Sequence, residues 1–202
     1  STPLSNFEAN MDYRDVEDPS IYFTLDARDN YKKIIKGDKF LVWTTTPWCI
    51  PGNLAIAVGK EIEYSRISIK NNFYWIATDR LFEMKDHEIE IVDVSYGKDL
   101  IGASYIPAYN EYEHLFKEGA FRIIHSDDTN TESGSGLVSQ APAYGESDFY
   151  ALKNANIDVI ADPVTLSGRF DSTFNELNGL NVKDADKLIM DQLEERGNLF
   201  SR

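Results

Sequence analysis

From residue 21 to residue 139 the sequence is cut into short runs rich in valine, isoleucine, tyrosine, phenylalanine and threonine. Each is bounded by glycine, asparagine, aspartate or lysine. The runs fall at 21–25, 40–44, 54–58, 64–69, 73–77, 89–94, 121–124 and 136–139. β-Branched and aromatic side chains suit a pleated, half-buried surface, so these runs read as strands. Asn71-Asn72, between two of them, reads as a hairpin turn because asparagine tolerates positive φ. Helical signals are fewer. Residues 79–85 read as a short helix, and 147–156 as a second with Phe149, Leu152 and Ala155 at helical spacing. The strongest lies at 182–196, where Asn181 can cap, Ala185, Leu188, Ile189 and Leu193 form one apolar face, and Gly197 can end the helix. With 202 residues, 42% of them hydrophobic, the chain can bury one real core. The expected fold is α+β and β-rich: a barrel-like or strongly curved sheet with a few peripheral helices.

Two stretches carry candidate chemistry. In "FLVWTTTPWCIPGNLAIAV", residues 40–58, a strand runs into Thr44-Thr45-Thr46 and then a turn with two prolines, Pro47 and Pro51. Successive strand side chains point to opposite faces, and Pro47 holds Thr46 extended while ending the ladder. The outcome is a rigid ledge of hydroxyls that both donate and accept, suited to an uncharged ligand such as an adenosine or a small side chain. Taken alone, the stretch reads first as a strand end and a packed turn. In "GSGLVSQAPAYGESDF", residues 134–149, a short strand leads through a Pro-Ala-Tyr-Gly turn to Glu146, Ser147 and Asp148 at a helix start. Acids there are favoured by the helix dipole, and for Glu146 that capping reading is the better one. A carboxylate fixed at such a turn can also bind an ammonium group. Neither stretch holds a nucleophile beside a base, so any hydrolysis here needs a positioned water.

The balance of 20 basic and 34 acidic residues, a net charge of −14, argues against an electrostatic grip on nucleic acid. It leaves room for a domain that handles only the end of a nucleic acid delivered by something else. One cysteine forms no internal disulfide, which fits a reducing, cytoplasmic setting. His87, His114 and His125 are scattered without cysteine companions, so no metal site is expected. No apolar run approaches bilayer length and no secretory leader is visible, so no membrane partner is expected. The absence of an initial methionine suggests a piece of a longer protein. The polar segment 125–136 reads as a loop long enough to matter.

"WTTTPWCIPGN", followed by "GSGLVSQAPAYGESDF", resembles the editing insertion of class I aminoacyl-tRNA synthetases, and most of all that of the isoleucyl enzymes. The family patterns are WTTTPWTLPxN and GTGxVHxAPxxGxxDF. The leucyl and valyl relatives carry His-Asp where this chain has Tyr144-Gly145. The opening "TPLSNFE" and closing "LEERGNLF" also resemble the segments flanking that insertion, and the HIGH and KMSKS signatures are absent. The resemblance implies one editing domain over 1–202 with the synthetase editing-domain fold, its segments at about 1–20 and 180–202 leading back towards a larger body. The implied activity is hydrolysis of valine wrongly esterified to isoleucine tRNA. The physical need is clear: a missing methylene gives only about 1–3 kcal/mol of discrimination, so a second sieve must remove the smaller product. ATP binding belongs to the parent enzyme, and no cofactor is implied for this domain. Its implied partners are the 3′ aminoacyl end of tRNA(Ile) and the rest of the synthetase chain, with the isolated domain a monomer.

Carried over by resemblance, Asp148 grips the α-ammonium of the substrate and, with Thr45 and Thr46, serves the hydrolytic step. Thr44, Trp48, Cys49, Asn53, Ser139 and Ala141 join Asp148 in binding substrate. Two positions depart from the pattern: Ser139 replaces the family's histidine and Cys49 its threonine, while Ser135 for threonine is mild. Serine is smaller and cannot become cationic, which makes the pocket roomier or wetter. A second reading is therefore an editing-fold module with weakened or lost hydrolysis that only binds or positions the tRNA end. A third sets the resemblance aside and reads a β-rich interaction domain for a neutral ligand.

Overall fold

The structure, a computed structural model, describes residues 19–202. The opening "TPLSNFE" and most of the 1–20 flank lie outside the described residues. Within the described residues nine strands form one sheet: β1 (Ile21–Asp26), β2 (Lys39–Thr44), β3 (Ala55–Val58), β4 (Glu63–Ile69), β5 (Asn72–Ala77), β6 (Glu90–Tyr96), β7 (Arg122–His125), β8 (Val138–Gln140) and β9 (Leu199–Ser201). Among the described residues two α-helices accompany them, α1 (Glu146–Asn154) and α2 (Val182–Glu195). The main order is β6-β4-β5-β2-β8-β3-β7, with β1 on β2 and β9 on β1.

The expected β-rich, curved architecture is present, and its curl has a local cause at β2. One edge of β2 pairs antiparallel with β1 throughout, Ile21 opposite Thr44 to Asp26 opposite Lys39. The other edge is shared: Phe40 meets Trp75 of β5, while Trp43 meets Val138 of β8. Two strands cannot occupy one edge without diverging, so the sheet forks there. Residues 134–137 fill the fork: Trp43 N donates to Leu137 O (3.2 Å) and Ala77 N to Ser135 O (2.9 Å). Gly136, at φ +77°, permits this approach, because a Cβ on it would lie 2.5 Å from the Ala77 Cβ. All four residues of β3 are buried, as befits a strand enclosed between β8 and β7. Trp75, Tyr64, Tyr105, Phe23, Phe40, Phe121 and Phe170 are the largest fully buried side chains of the core.

Several element bounds shift. The β4–β5 turn centres on Lys70-Asn71, both at positive φ (48° and 66°), one residue before the expected pair. Register sets this: Ile69 pairs with Asn72, closing a two-residue turn whose twist matches the strands. The short helix expected at 79–85 is the 3-10 segment Thr78–Met84. The run expected at 89–94 is paired as Glu90–Tyr96, and that at 136–139 as Val138–Gln140.

Helix α2 follows its pattern closely. Asn181 Oδ1 accepts from Lys183 N (3.0 Å), Ala185, Ile189 and Leu193 are buried, and Gly197 takes φ +75° just beyond the end. Asn181→Ala is expected to cost about 1 kcal/mol, a Tm drop of about 2–4 °C for a domain of this size. An unchanged thermal melt would show that the cap carries no stability. Residues 180–202 pack on this sheet: β9 pairs with β1, Phe23 opposite Leu199, and Asp186 of α2 reaches the turn after β2.

Candidate functional site

Strand β2 ends at Thr44, and the polar wall of the site begins there. Thr44 is buried, and its Oγ1 accepts from Thr46 N (3.1 Å) while lying 3.5 Å from the Thr46 hydroxyl. Pro47 opens the 3-10 turn Pro47–Gly52, where its missing N–H has no partner to lose. Within the turn, Trp48 N donates to Asp186 Oδ1 of α2 (2.8 Å) and Cys49 N to Thr46 O (3.0 Å). The turn is thus held both by its own strand and by the last helix.

The facing wall comes from β8 and α1. Ser139 leads to Ala141, whose carbonyl accepts from Tyr144 N (3.0 Å) and Gly145 N (3.3 Å), and α1 starts directly after. Asp148 does not spend its carboxylate on the helix terminus. Oδ2 accepts from Ala141 N (2.9 Å), and Ser147 Oγ donates to Oδ1 at 3.4 Å, so the side chain closes the 141–148 loop. Trp48 and Tyr144 meet edge to face across the walls, centroids 4.9 Å apart.

Between the walls lies a pocket of about 230 Å³ lined by Thr44, Thr46, Trp48, Cys49, Ser139, Ala141, Tyr144, Gly145 and Asp148. That is below the roughly 300–1,000 Å³ of sites for drug-sized ligands, and matches an amino-acid-sized group better than a whole nucleotide. Seven of the nine residues are among those singled out from sequence; Tyr144 and Gly145 are the additions, both inside the quoted second motif.

Two sequence candidates lie elsewhere. Thr45 is exposed and does not line the pocket: β2 ends at Thr44, and the chain bends at Thr45 before Thr46 rejoins the pocket wall. Asn53 is buried behind the pocket wall, where its Nδ2 donates to Ser139 Oγ (2.9 Å) and to Ala55 O (2.9 Å). Glu146 is exposed in the first turn of α1, outside the pocket. The histidines sit apart: His125 contacts Asp127 (2.8 Å), His87 packs on Phe200, and His114 lies near Tyr112.

The electrostatics separate the roles. Burial pushes the Asp148 carboxyl above its ordinary value, against the pull of its bonds from Ala141 N and the Ser147 hydroxyl. A cation entering the pocket would relieve that cost. Burial pushes the Cys49 thiol up to about 12, so it carries no thiolate near neutral pH and is no nucleophile. The Tyr144 phenol is likewise raised, by burial and by Asp162. The pocket therefore offers one half-buried carboxyl as hydrogen-bond acceptor, neutral hydroxyls and an aromatic wall.

No protein-family model matches the chain. Among curated proteins it is 40% identical to an isoleucine–tRNA ligase of Bdellovibrio bacteriovorus over 214 aligned positions, covering 100% of this chain and 19% of that protein. It is also 40% identical to the isoleucine–tRNA ligase of Protochlamydia amoebophila over 203 positions, covering 98% of the chain and 19% of the relative. The chain thus spans about a fifth of the length of these relatives. Among solved structures, the editing domain of the P. knowlesi cytosolic leucyl-tRNA synthetase superposes with a TM-score of 0.67 at 8% identity, covering 91% of this chain and 96% of that one. At that identity the likeness concerns the fold.

Proposed function

The chain belongs, along its whole length, with a segment of the isoleucine–tRNA ligases and has the fold of synthetase editing domains, and from that premise we propose that it hydrolyses the ester of valine mischarged onto tRNA(Ile). The observation that carries the reading is the small pocket with the Asp148 carboxylate on one wall and the Thr44 and Thr46 hydroxyls on the other. An aminoacyl ester presents matching groups: an α-ammonium for Asp148, sugar hydroxyls for the threonines, and a short apolar side chain for the surface around Trp48, Tyr144 and Ala141.

The step needs no protein nucleophile. A water oxygen bonds to the ester carbonyl carbon while the carbonyl π pair moves onto its oxygen. Collapse of that intermediate breaks the bond to the ribose oxygen, which takes a proton derived from the water. Valine and tRNA with a free terminal hydroxyl result. The ester is already activated, so holding it beside water and stabilising the developing oxyanion supplies the acceleration. Thr45 is given no part in this step. No cofactor is required. The acidic chain, at −14, gains little from phosphate contacts, so the remainder of a cytoplasmic synthetase would deliver the tRNA end to this domain, itself a monomer.

The test is deacylation of preformed valyl- and isoleucyl-tRNA(Ile). The expected result is loss of valine well above the buffer rate with isoleucine spared by about 10-fold or more, the scale set by one methylene. Ser139 favours a second reading, in which the fold positions the tRNA end without hydrolysis. Valyl-tRNA that binds yet stays charged would select it.

A further inference from the structure

Counting hydrogens behind the pocket fixes the polarity of Ser139. The Asn53 amide is unambiguous, because Ala55 O can only accept and so must face the amide nitrogen, 2.9 Å away. The second Asn53 Nδ2 hydrogen goes to Ser139 Oγ, 2.9 Å away. Asn53 Oδ1 then accepts from the hydroxyl of Tyr105, a residue with 0% exposure. Asn53 has no donor left and no reason to rotate. Ser139 Oγ is an acceptor toward Asn53, and its own proton has no acceptor among the described residues. Ser139 also lines the pocket that holds Asp148.

We infer that Ser139 is a catalytic residue: its hydroxyl donates to the ester carbonyl oxygen of the bound aminoacyl group and stabilises the negative charge formed there when water attacks. The Tyr105–Asn53 pair holds it in the donor sense. Asp148 reads the donor end of the substrate, the ammonium; Ser139 reads its acceptor end. This assignment rests on the hydrolytic reading above and gives the serine a role of its own, where substitution for histidine alone suggests loss.

A donor aimed at a developing oxyanion strengthens in the transition state, so its removal lowers kcat and leaves KM nearly unchanged. In the 202-residue chain, Ser139→Ala is expected to lower kcat on valyl-tRNA(Ile) about a hundredfold to a thousandfold, and Ser139→Thr, which keeps a hydroxyl, to recover most of the rate. Asn53→Asp turns the neighbour into an acceptor and draws the Ser139 proton away from the pocket. It should lower kcat alone but add little in a Ser139→Ala background, a non-additivity that mere loosening of the fold would not give. An unchanged kcat in Ser139→Ala, or a loss confined to KM, overturns the assignment while leaving the hydrolase intact. Absence of hydrolysis in the wild-type chain overturns both.

Discussion

Asp148→Ala is expected to lower kcat/KM for valyl-tRNA(Ile) by about 30-fold to a few thousandfold, since truncating one partner of a desolvated hydrogen-bonded charge pair costs about 2–5 kcal/mol. Truncation leaves a substrate ammonium enclosed beside Trp48 and Tyr144 with no carboxylate to meet it. An ester of the matching α-hydroxy acid carries no ammonium, so wild type and variant should hydrolyse it at similar rates. Equal losses on both esters would remove Asp148 from amine recognition. The pH profile follows from the same side chain. Its carboxyl is raised by burial, so the acid limb of kcat/KM should lie above the ordinary aspartate range, with activity falling as pH drops and Asp148 protonates. The stability sign is opposite. A carboxyl raised on folding binds its proton more tightly in the folded chain, so its contribution is fully present below the unfolded pKa and is lost as pH rises through the folded value. Asp148→Asn keeps an acceptor for Ala141 N and should raise the neutral-pH Tm slightly while removing the acid limb.

What the sequence disclosed depended on how far apart the cooperating residues lie. The pocket walls come from two contiguous stretches, so Thr44, Thr46, Trp48, Cys49, Ser139, Ala141 and Asp148 could be named before their meeting was known. Thr45 shows the opposite case: it lies in the bend just past the end of β2, exposed and outside the pocket, and motif matching alone hides that. Helix α2 was legible because cap, apolar face and terminal glycine are local signals. Strand β9 was not, since three residues carry no periodicity and pair only because Phe23 lies opposite Leu199. Tyr105 stands 52 residues from Asn53, and Asp186 stands 138 from Trp48; no local pattern announces either bond. The fork at β2 is invisible for the same reason, being a property of which strands arrive at one edge.

The same limit hid the interaction with the largest expected effect on stability, and Asp38→Ala should expose it. Asp38, 2% exposed just before β2, accepts from Arg66 Nε (2.8 Å) and Nη2 (2.7 Å), Trp75 Nε1 (3.0 Å) and Ile35 N (3.0 Å). Arg66 belongs to β4 and Trp75 to β5, so one carboxylate ties together the strands that meet at the near end of the fork. Arg66 is further held over Phe73, 4.0 Å from the ring centroid. Removing the carboxylate leaves a half-buried guanidinium and a fully buried indole N–H without their acceptor, a loss of about 3–5 kcal/mol, or about 6–20 °C in Tm for a domain of this size. Arg66→Met added to Asp38→Ala should restore part of that loss, because the penalty lies mainly in the orphaned charge. A fall below about 1 kcal/mol in Asp38→Ala would mean that water reaches the guanidinium and the pair acts as an exposed one. Thr44 and Thr46 lie at the other end of β2, so hydrolysis per folded molecule should persist in the variant while the folded fraction declines on heating. Such a separation would assign the near end of the fork to stability and the far end to chemistry.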